Sequence, residues 1–246
     1  MGVGSDDVLA MAFMTFFNSE KPILFPDISY SFYPVWAELF GIPYEKKAVN
    51  DAFEIQKEDY YAENGGVVFP NPNAPTGAFL SLEVVEDIIQ HNQDVVVIVD
   101  EAYIDFGGDT AKELTRKYDN VLVVQTYSKS RSLAGLRIGY AIGNKELIKA
   151  MNDVKYSYNS YTMNEPSIVL GTAVLEDEEY FQETRNKIID TREWFQIEMR
   201  KIVLQIPKQT LSLRHMKAYL PKRFLKQRRK QRFMSVILIS QESIII

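Results

Sequence analysis

The chain has 246 residues, of which 46% are hydrophobic and 25% charged, and its formal net charge is −5, as in an ordinary globular protein with a sizeable core. It has no cysteine and two histidines, which excludes disulfides and thiolate metal sites and disfavours a multi-histidine metal site. No apolar run approaches the roughly 18 residues that cross a bilayer, and the N-terminus lacks the pattern of a secretory signal, so we expect a cytoplasmic protein without a membrane partner.

Short apolar runs alternate with helical patterns along most of the chain. Strands are predicted where β-branched residues cluster: Pro22–Phe25, Val67–Phe69, Val95–Val99, Val121–Gln125 and Ile138–Ile142. Helices are predicted between them and after them: Ser5–Phe17, Ser31–Phe40, Ser81–His91, Lys112–Tyr118, Asn144–Met151 and Glu178–Lys201. Apolar strands joined by helical crossovers predict an α/β fold, with a mostly parallel sheet and helices on both faces in three layers.

A lysine and an arginine flank a glycine turn after the fourth predicted strand. Arg137 lies eight residues beyond Lys129, and Ser128 directly precedes the lysine. A lysine amine can bind a carbonyl carbon, whereas Ser and Arg suit a phosphate, which Arg can bind through two parallel hydrogen bonds. A lone lysine is usually a surface residue. The spacing of these residues therefore matters more than any one of them.

An acid stands at the end of the third predicted strand. Asp100 follows the run Val95–Val99, at the position where open α/β sheets bind ligands, and Tyr103 lies three residues beyond it. A carboxylate there can pair with a protonated pyridine nitrogen. Taken alone, the segment could equally be a turn capped by an ordinary Asp. Together with Lys129 and Arg137 it predicts a pyridoxal-phosphate pocket.

Three upstream segments could complete this pocket. A glycine turn leads into the helix that begins with Ser5 and Asp6, and a helix N-terminus can bind phosphate through free N–H groups. Tyr33 belongs to an aromatic segment, one ring of which could lie flat on a pyridine ring. Asn73 lies in a proline-rich turn that could present its amide. Each segment alone is a weak signal, since such turns and aromatic residues are common.

The composition changes near residue 203. Residues 203–246 contain ten Lys and Arg and one acid, whereas residues 1–202 contain 18 basic and 32 acidic residues. The segment also lacks Gly, Asp and Asn, the residues typical of turns. It could be a basic arm for nucleic acid, a solvated basic helix, or a segment translated out of frame. We favour the third, because charge, turn residues and periodicity change together.

Taken in order, these residues resemble the fold-type I aminotransferases that use pyridoxal phosphate, and within them the histidinol-phosphate aminotransferases. The resemblance covers about residues 2–200 and rests on five motifs: VGSDDVL, FPDISYSFYPVWAELFGI, NPNAPTG, VVIVDEAYIDF and QTYSKSRSLAGLRIGYAIG. It implies that residues 1–177 are the pyridoxal-phosphate-binding large domain and 178–202 a long connecting helix. Residues 203–246 then form an aberrant basic tail, with the small C-terminal domain missing or scrambled.

The resemblance also implies a role for each site residue. Lys129 would be the Schiff-base lysine, Asp100 would pair with the ring nitrogen, and Tyr103 would pair with the phenolic oxygen. Tyr33 would stack on the cofactor ring. Four residues would bind the phosphate: Ser5, Asp6, Ser128 and Arg137.

The chain departs from the family pattern in three places. Ala74 stands where the family usually has Asn directly before Pro-Thr-Gly, so Asn73 either reaches the cofactor instead or the contact is lost. The N-terminal arm, which in the family contributes to the substrate site and to the dimer, has no counterpart. The C-terminal arginines that bind substrate in the family have no counterpart either. We therefore expect a small-molecule substrate, a homodimer interface that is incomplete, and weak or no turnover.

The expected lineage is a transaminase of histidine biosynthesis that exchanges an amino group between glutamate and imidazole acetol phosphate. A related enzyme, such as a phospho-threonine decarboxylase or an aromatic aminotransferase, shares nearly all of these motifs and stays open. A non-enzymatic alternative is nucleic-acid binding through the basic tail, which we do not favour.

Overall fold

The computed structural model describes residues 1–203. The chain divides into two units, Met1–Asn186 and Lys187–Ile246, and the first contains the sheet. The strands are β1 (Gly2–Val3), β2 (Ile23–Pro26), β3 (Tyr44–Lys47), β4 (Gly66–Pro70), β5 (Val97–Asp100), β6 (Val121–Thr126) and β7 (Ile138–Gly143). The α-helices are α1 (Ser5–Phe16), α2 (Phe32–Phe40), α3 (Leu82–Gln90), α4 (Lys145–Tyr158), α5 (Glu165–Glu176) and α6 (Glu178–Val203). Short 3-10 helices span Lys57–Tyr60, Ile104–Phe106, Ala111–Arg116 and Ala134–Leu136.

The strands form one mixed sheet in the order β1-β7-β6-β5-β4-β2-β3. Strands β3, β2, β4, β5 and β6 run parallel to one another, while β7 pairs antiparallel with both β6 and β1. Asp100 is in register with Pro70 on one side and Val124 on the other. The carboxyl ends of β4, β5 and β6 therefore lie together at one edge of the sheet, where loops can assemble a site.

Alternate residues of the central strands face two separate hydrophobic cores. One face packs against α1 and α2 and includes Val68, Ile98, Leu122 and Val124. The other face packs against α3 and includes Val67, Val97, Val99, Val121 and Val123. Burial of each such side chain contributes about 1.5–3 kcal/mol to the free energy of folding, relative to leaving it exposed. The predicted mostly parallel, three-layer α/β fold is confirmed.

Some elements differ from the sequence predictions. The segment predicted as a helix at Lys112–Tyr118 is a 3-10 helix at Ala111–Arg116, and α4 continues to Tyr158. Strand β3 was not predicted because its sequence is charged and partly exposed, as is typical of an edge strand. Helix α5 was not predicted either. Its buried positions are Ser167 and Gly171, so it lacks the apolar stripe of an amphipathic helix.

Among the described helices, none is long and apolar enough to cross a membrane. The predictions for the basic tail concern residues after Val203, which lie outside the described residues.

Candidate functional site

The predicted site residues lie at one edge of the sheet, on a strand end, on loops and in the first turns of helices. Asp100 is the last residue of β5, Arg137 directly precedes the antiparallel β7, and each of the others follows the carboxyl end of a strand that runs in the common direction. Because strand ends in register bring their loops together, residues far apart in the sequence meet here.

Lys129 lies on the loop after β6, beside the aromatic ring of Tyr103. Its Nζ is 5.1 Å from the ring centroid, within cation–π range. The next residue, Ser130, is 3% exposed and donates its hydroxyl to the Asp105 carboxylate. The structure thus brings the predicted amine close to the predicted phenol, and a partly buried hydrogen bond holds the loop that carries Lys129.

Asp100 ends β5 as a buried carboxylate, 4% exposed. Its Oδ2 accepts a hydrogen bond of 2.7 Å from the Tyr33 hydroxyl, and its Oδ1 accepts one of 3.1 Å from the Ala102 N–H. Burial raises the pKa of Asp100 to about 6, although both hydrogen bonds act to lower it. In the described part of the chain no basic side chain forms an ion pair with it. A cationic ligand group, such as a protonated ring nitrogen, would therefore suit this acid.

A second group of residues surrounds the start of α1. Gly4 precedes the helix with φ of 94°, and no side chain caps the helix there. A Cβ atom on Gly4 would lie 2.5 Å from Nη2 of Arg137, and one on Gly139 would lie 2.3 Å from the Ser5 nitrogen. The two glycines thus let the helix N-terminus pack against the start of β7 and the guanidinium. Free N–H groups beside an arginine form an anion site.

Arg137 is held only loosely in this position. Its guanidinium donates to the carbonyl oxygens of Ala134 and Val3 at 3.2 and 3.4 Å. Its Nη2 is 3.8 Å from Oδ2 of Asp6, and both side chains are about half exposed, at 45% and 50%. Such a pair contributes about 0–1 kcal/mol, so an anionic ligand could replace the carboxylate.

Asp6 cannot serve this site through its side chain as a donor. Its Oδ1 accepts a hydrogen bond of 2.8 Å from the Tyr30 hydroxyl, so the carboxylate acts as an acceptor. Only its backbone N–H, in the first turn of α1, is left to donate to a phosphate.

Ser128 is partly buried at the end of β6. The Ser128 and Thr126 hydroxyls are hydrogen-bonded to each other at 3.1 Å, and the Ser128 N–H donates to Oγ1 of Thr126 at 3.2 Å. Thr126 pairs in register with Gly139, the residue that packs against Ser5. The strand register therefore places Ser128 near the helix N-terminus.

Asn73 is 1% exposed, and its amide is half satisfied. Its Nδ2 donates to the Ile28 carbonyl at 2.9 Å, whereas its Oδ1 has no hydrogen-bond partner among residues 1–203. A buried acceptor without a partner costs about 1–3 kcal/mol. A ligand donor at this position would remove that cost, so Asn73 fits the role of a cofactor contact.

The structure does not favour the predicted stacking role of Tyr33. Its side chain is 0% exposed, with ring centroids of Phe25 and Phe13 at 5.9 and 6.3 Å, so it has no face left for a ligand. The same aromatic segment also contains Tyr30, which is partly buried and precedes α2, and to which the resemblance assigned no role. The helical spacing of Tyr33, Trp36 and Ala37 was the available signal, because it predicts an inward face.

The family profile described as aminotransferase class I and II matches residues 1–246. The chain belongs to this family. Among curated class I and II aminotransferases, the histidinol-phosphate aminotransferase of Pseudomonas putida is 55% identical over 192 residues, which are 78% of this chain and 55% of that relative. The chain therefore spans about half the length of the curated relatives it matches.

Solved structures of aminotransferases share the fold. The histidinol-phosphate aminotransferase from Clostridium acetobutylicum superposes with a TM-score of 0.72 at 24% identity, covering 82% of this chain and 61% of that one. The enzyme from Sinorhizobium meliloti in complex with pyridoxal-5'-phosphate gives 0.70 at 22% identity, covering 78% and 54%. At these identities the likeness shows the fold alone. The sequence prediction of the family is confirmed.

Proposed function

We propose that this chain binds pyridoxal 5'-phosphate at the described edge and is an aminotransferase acting on histidinol phosphate. The proposed exchange is between histidinol phosphate and 2-oxoglutarate, giving imidazole acetol phosphate and glutamate. The observation that carries the proposal is the buried acid Asp100, which forms no ion pair with a basic side chain of the described residues and lies three residues from the tyrosine that contacts Lys129. The names of relatives at 55% identity support the substrate.

Each reacting group has a candidate partner in the chain. Pyridoxal phosphate supplies an aldehyde that binds amines and a ring that withdraws electrons. The Lys129 amine would bind the aldehyde carbon and, once displaced by the amino substrate, would move the proton at the substrate α-carbon. The Asp100 carboxylate would hold a proton on the ring nitrogen, and the Tyr103 hydroxyl would donate to the phenolic oxygen.

The phosphate would bind at the start of α1. The N–H groups of Ser5 and Asp6, the hydroxyl of Ser128 and the guanidinium of Arg137 are donors available there. Tyr30, rather than Tyr33, would cover the ring, because its ring is partly exposed and its hydroxyl donates to Asp6 at the start of α1. The homodimer typical of this lineage, with a small-molecule substrate, belongs to the same proposal.

A single-turnover assay tests the proposal even if transfer is slow. The full chain is loaded with pyridoxal phosphate and mixed with excess histidinol phosphate, and conversion of the cofactor to its amine form is followed by absorbance. We expect conversion with histidinol phosphate to be at least about tenfold faster than with tyrosine. Release of carbon dioxide from phosphothreonine, or conversion only by aromatic amino acids, would replace the proposed substrate by one of the related activities.

A further inference from the structure

We propose that Tyr33 is a positioning residue for the acid of the site: its buried hydroxyl fixes the Asp100 carboxylate and favours its ionised form. The inference rests on the proposed function, because Asp100 is the group assigned to the ring nitrogen. Tyr33 would thus hold the Asp100 carboxylate in place rather than stack on the cofactor ring.

The Tyr33 hydroxyl is held rigidly by its surroundings. The side chain lies on the buried face of α2, and its ring centroid is 5.8 Å from that of Tyr30 and 5.9 Å from that of Phe25. The hydrogen bond to Oδ2 of Asp100 joins residues 67 positions apart in the sequence. A phenol enclosed in this way cannot turn away from its acceptor without opening the core.

The carboxylate is in turn fixed through both oxygens. Oδ2 accepts from Tyr33, and Oδ1 accepts from the Ala102 N–H. One donor on each oxygen sets the rotation of the carboxylate plane, and each oxygen keeps a second lone pair for a ligand. Of the two donors only the phenol is a side chain, so it is the one that substitution can remove.

The surroundings of Asp100 otherwise oppose its negative charge. Burial raises its pKa most, and the carboxylates of Asp6 and Glu101 act in the same direction. The hydrogen bonds from Tyr33 and the Ala102 N–H are the two groups that lower it. Without the phenol, more of the acid is protonated near neutral pH, and a neutral acid pairs less well with a cationic ring nitrogen.

The direct test is the titration of Asp100 in the cofactor-free, full-length chain. Carbon-13 NMR of labelled aspartates follows the carboxyl signals against pH, and Asp100→Asn identifies the signal. In Tyr33→Phe the Asp100 midpoint should rise by about one pH unit, because a hydrogen bond to a charged group contributes on that scale. Tyr60→Phe is the matched control, since Tyr60 is 1% exposed and lies in the other core. It should leave the midpoint unchanged.

A second measurement connects the carboxylate to the cofactor. The dissociation constant for pyridoxal phosphate at neutral pH should rise about tenfold in Y33F and remain unchanged in Y60F. If Y33F does not fold, site-specific difluorotyrosine at position 33 keeps the ring and strengthens the donor, and the Asp100 midpoint should then fall.

The outcomes separate the two proposals. An Asp100 midpoint that is the same in the parent and in Y33F overturns the positioning role, whatever the cofactor does. Failure of the parent chain to bind pyridoxal phosphate, with the midpoint shifted as expected, refutes the proposed function and leaves the Tyr33–Asp100 coupling standing. An unchanged dissociation constant in Y33F, with binding intact in the parent, overturns the link between Tyr33 and the cofactor.

Discussion

Replacing Asp100 by Asn should stabilise the cofactor-free chain by an amount that grows with pH. The pKa of this carboxyl is raised from 3.8 to about 6, so the folded chain binds the proton more tightly than the unfolded chain. The resulting stability is fully present below pH 3.8 and is lost as the pH rises through 6. A difference of about two pKa units corresponds to roughly 3 kcal/mol of unfolding free energy.

Asn is a suitable replacement because it is neutral and nearly the same shape. Its Oδ1 can accept from the Ala102 N–H, and its Nδ2 can donate to the Tyr33 hydroxyl, which accepts as well as donates. The variant therefore removes the cost of the buried charge. It reverses the hydrogen bond to Tyr33, so the phenol proton loses its acceptor, a cost that does not change with pH. In the cofactor-bound protein the same substitution should weaken binding, because the partner of the ring cation is lost.

Urea unfolding followed by circular dichroism between pH 4 and 8 measures this effect. The unfolding free energy of the variant minus that of the parent should increase by roughly 3 kcal/mol in total as the pH rises, mostly between pH 4 and pH 6, and then level off. Asp109→Asn removes an exposed carboxylate and serves as the control, for which we expect a small difference in unfolding free energy. A constant difference for Asp100→Asn, or a destabilisation that grows with pH, would refute the electrostatic reasoning.

Two further substitutions test the ends of the site. Gly4→Ala should cost about 1–2 kcal/mol of stability, because φ is 94°, and should reduce the affinity for pyridoxal phosphate, because the new Cβ displaces Arg137. The control is Gly41→Ala, where φ is 68° and a Cβ would have no atom within 4 Å. In the same denaturation and binding titrations it should show the stability cost without the loss of affinity. Ser130→Ala should weaken cofactor binding about tenfold, because it removes the hydrogen bond to Asp105 that holds the Lys129 loop. Ser132→Ala, at an exposed position of the same loop, should bind the cofactor as the parent does. Equal affinities for the two variants would show that the loop does not need the Ser130 hydrogen bond.

The sequence predicted those parts of the fold that depend on local pattern. Runs such as Val121–Gln125 lie within a residue of the observed strand, because a strand buried on both faces must be apolar throughout. Strand β3 carries Glu45 and two lysines at the sheet edge, where burial imposes no such pattern. Helix α5 buries only small side chains, so its inward face could not be read from hydrophobicity.

For the site, too, the sequence predicted what depends on local pattern and missed what depends on packing between distant segments. Strand ends placed Asp100 and Lys129 at one edge, since that depends on strand direction and register. The pairing of Tyr33 with Asp100 depends on how α2 packs on the sheet, and nothing in either segment alone specifies it. Resemblance supplied an aromatic role for the segment, and the helical spacing of Tyr33, Trp36 and Ala37 indicated an inward face but not the partner of the Tyr33 hydroxyl.

The most direct test of the central claim is to find which residue binds the cofactor aldehyde. The full chain is incubated with pyridoxal phosphate, reduced with borohydride and digested, and the modified lysine is identified by mass spectrometry. The account predicts a single modified peptide containing Lys129, absent from Lys129→Ala, while Lys112→Ala keeps it. Modification spread over surface lysines, or persisting at another lysine in the Lys129 variant, would contradict the assignment of the site.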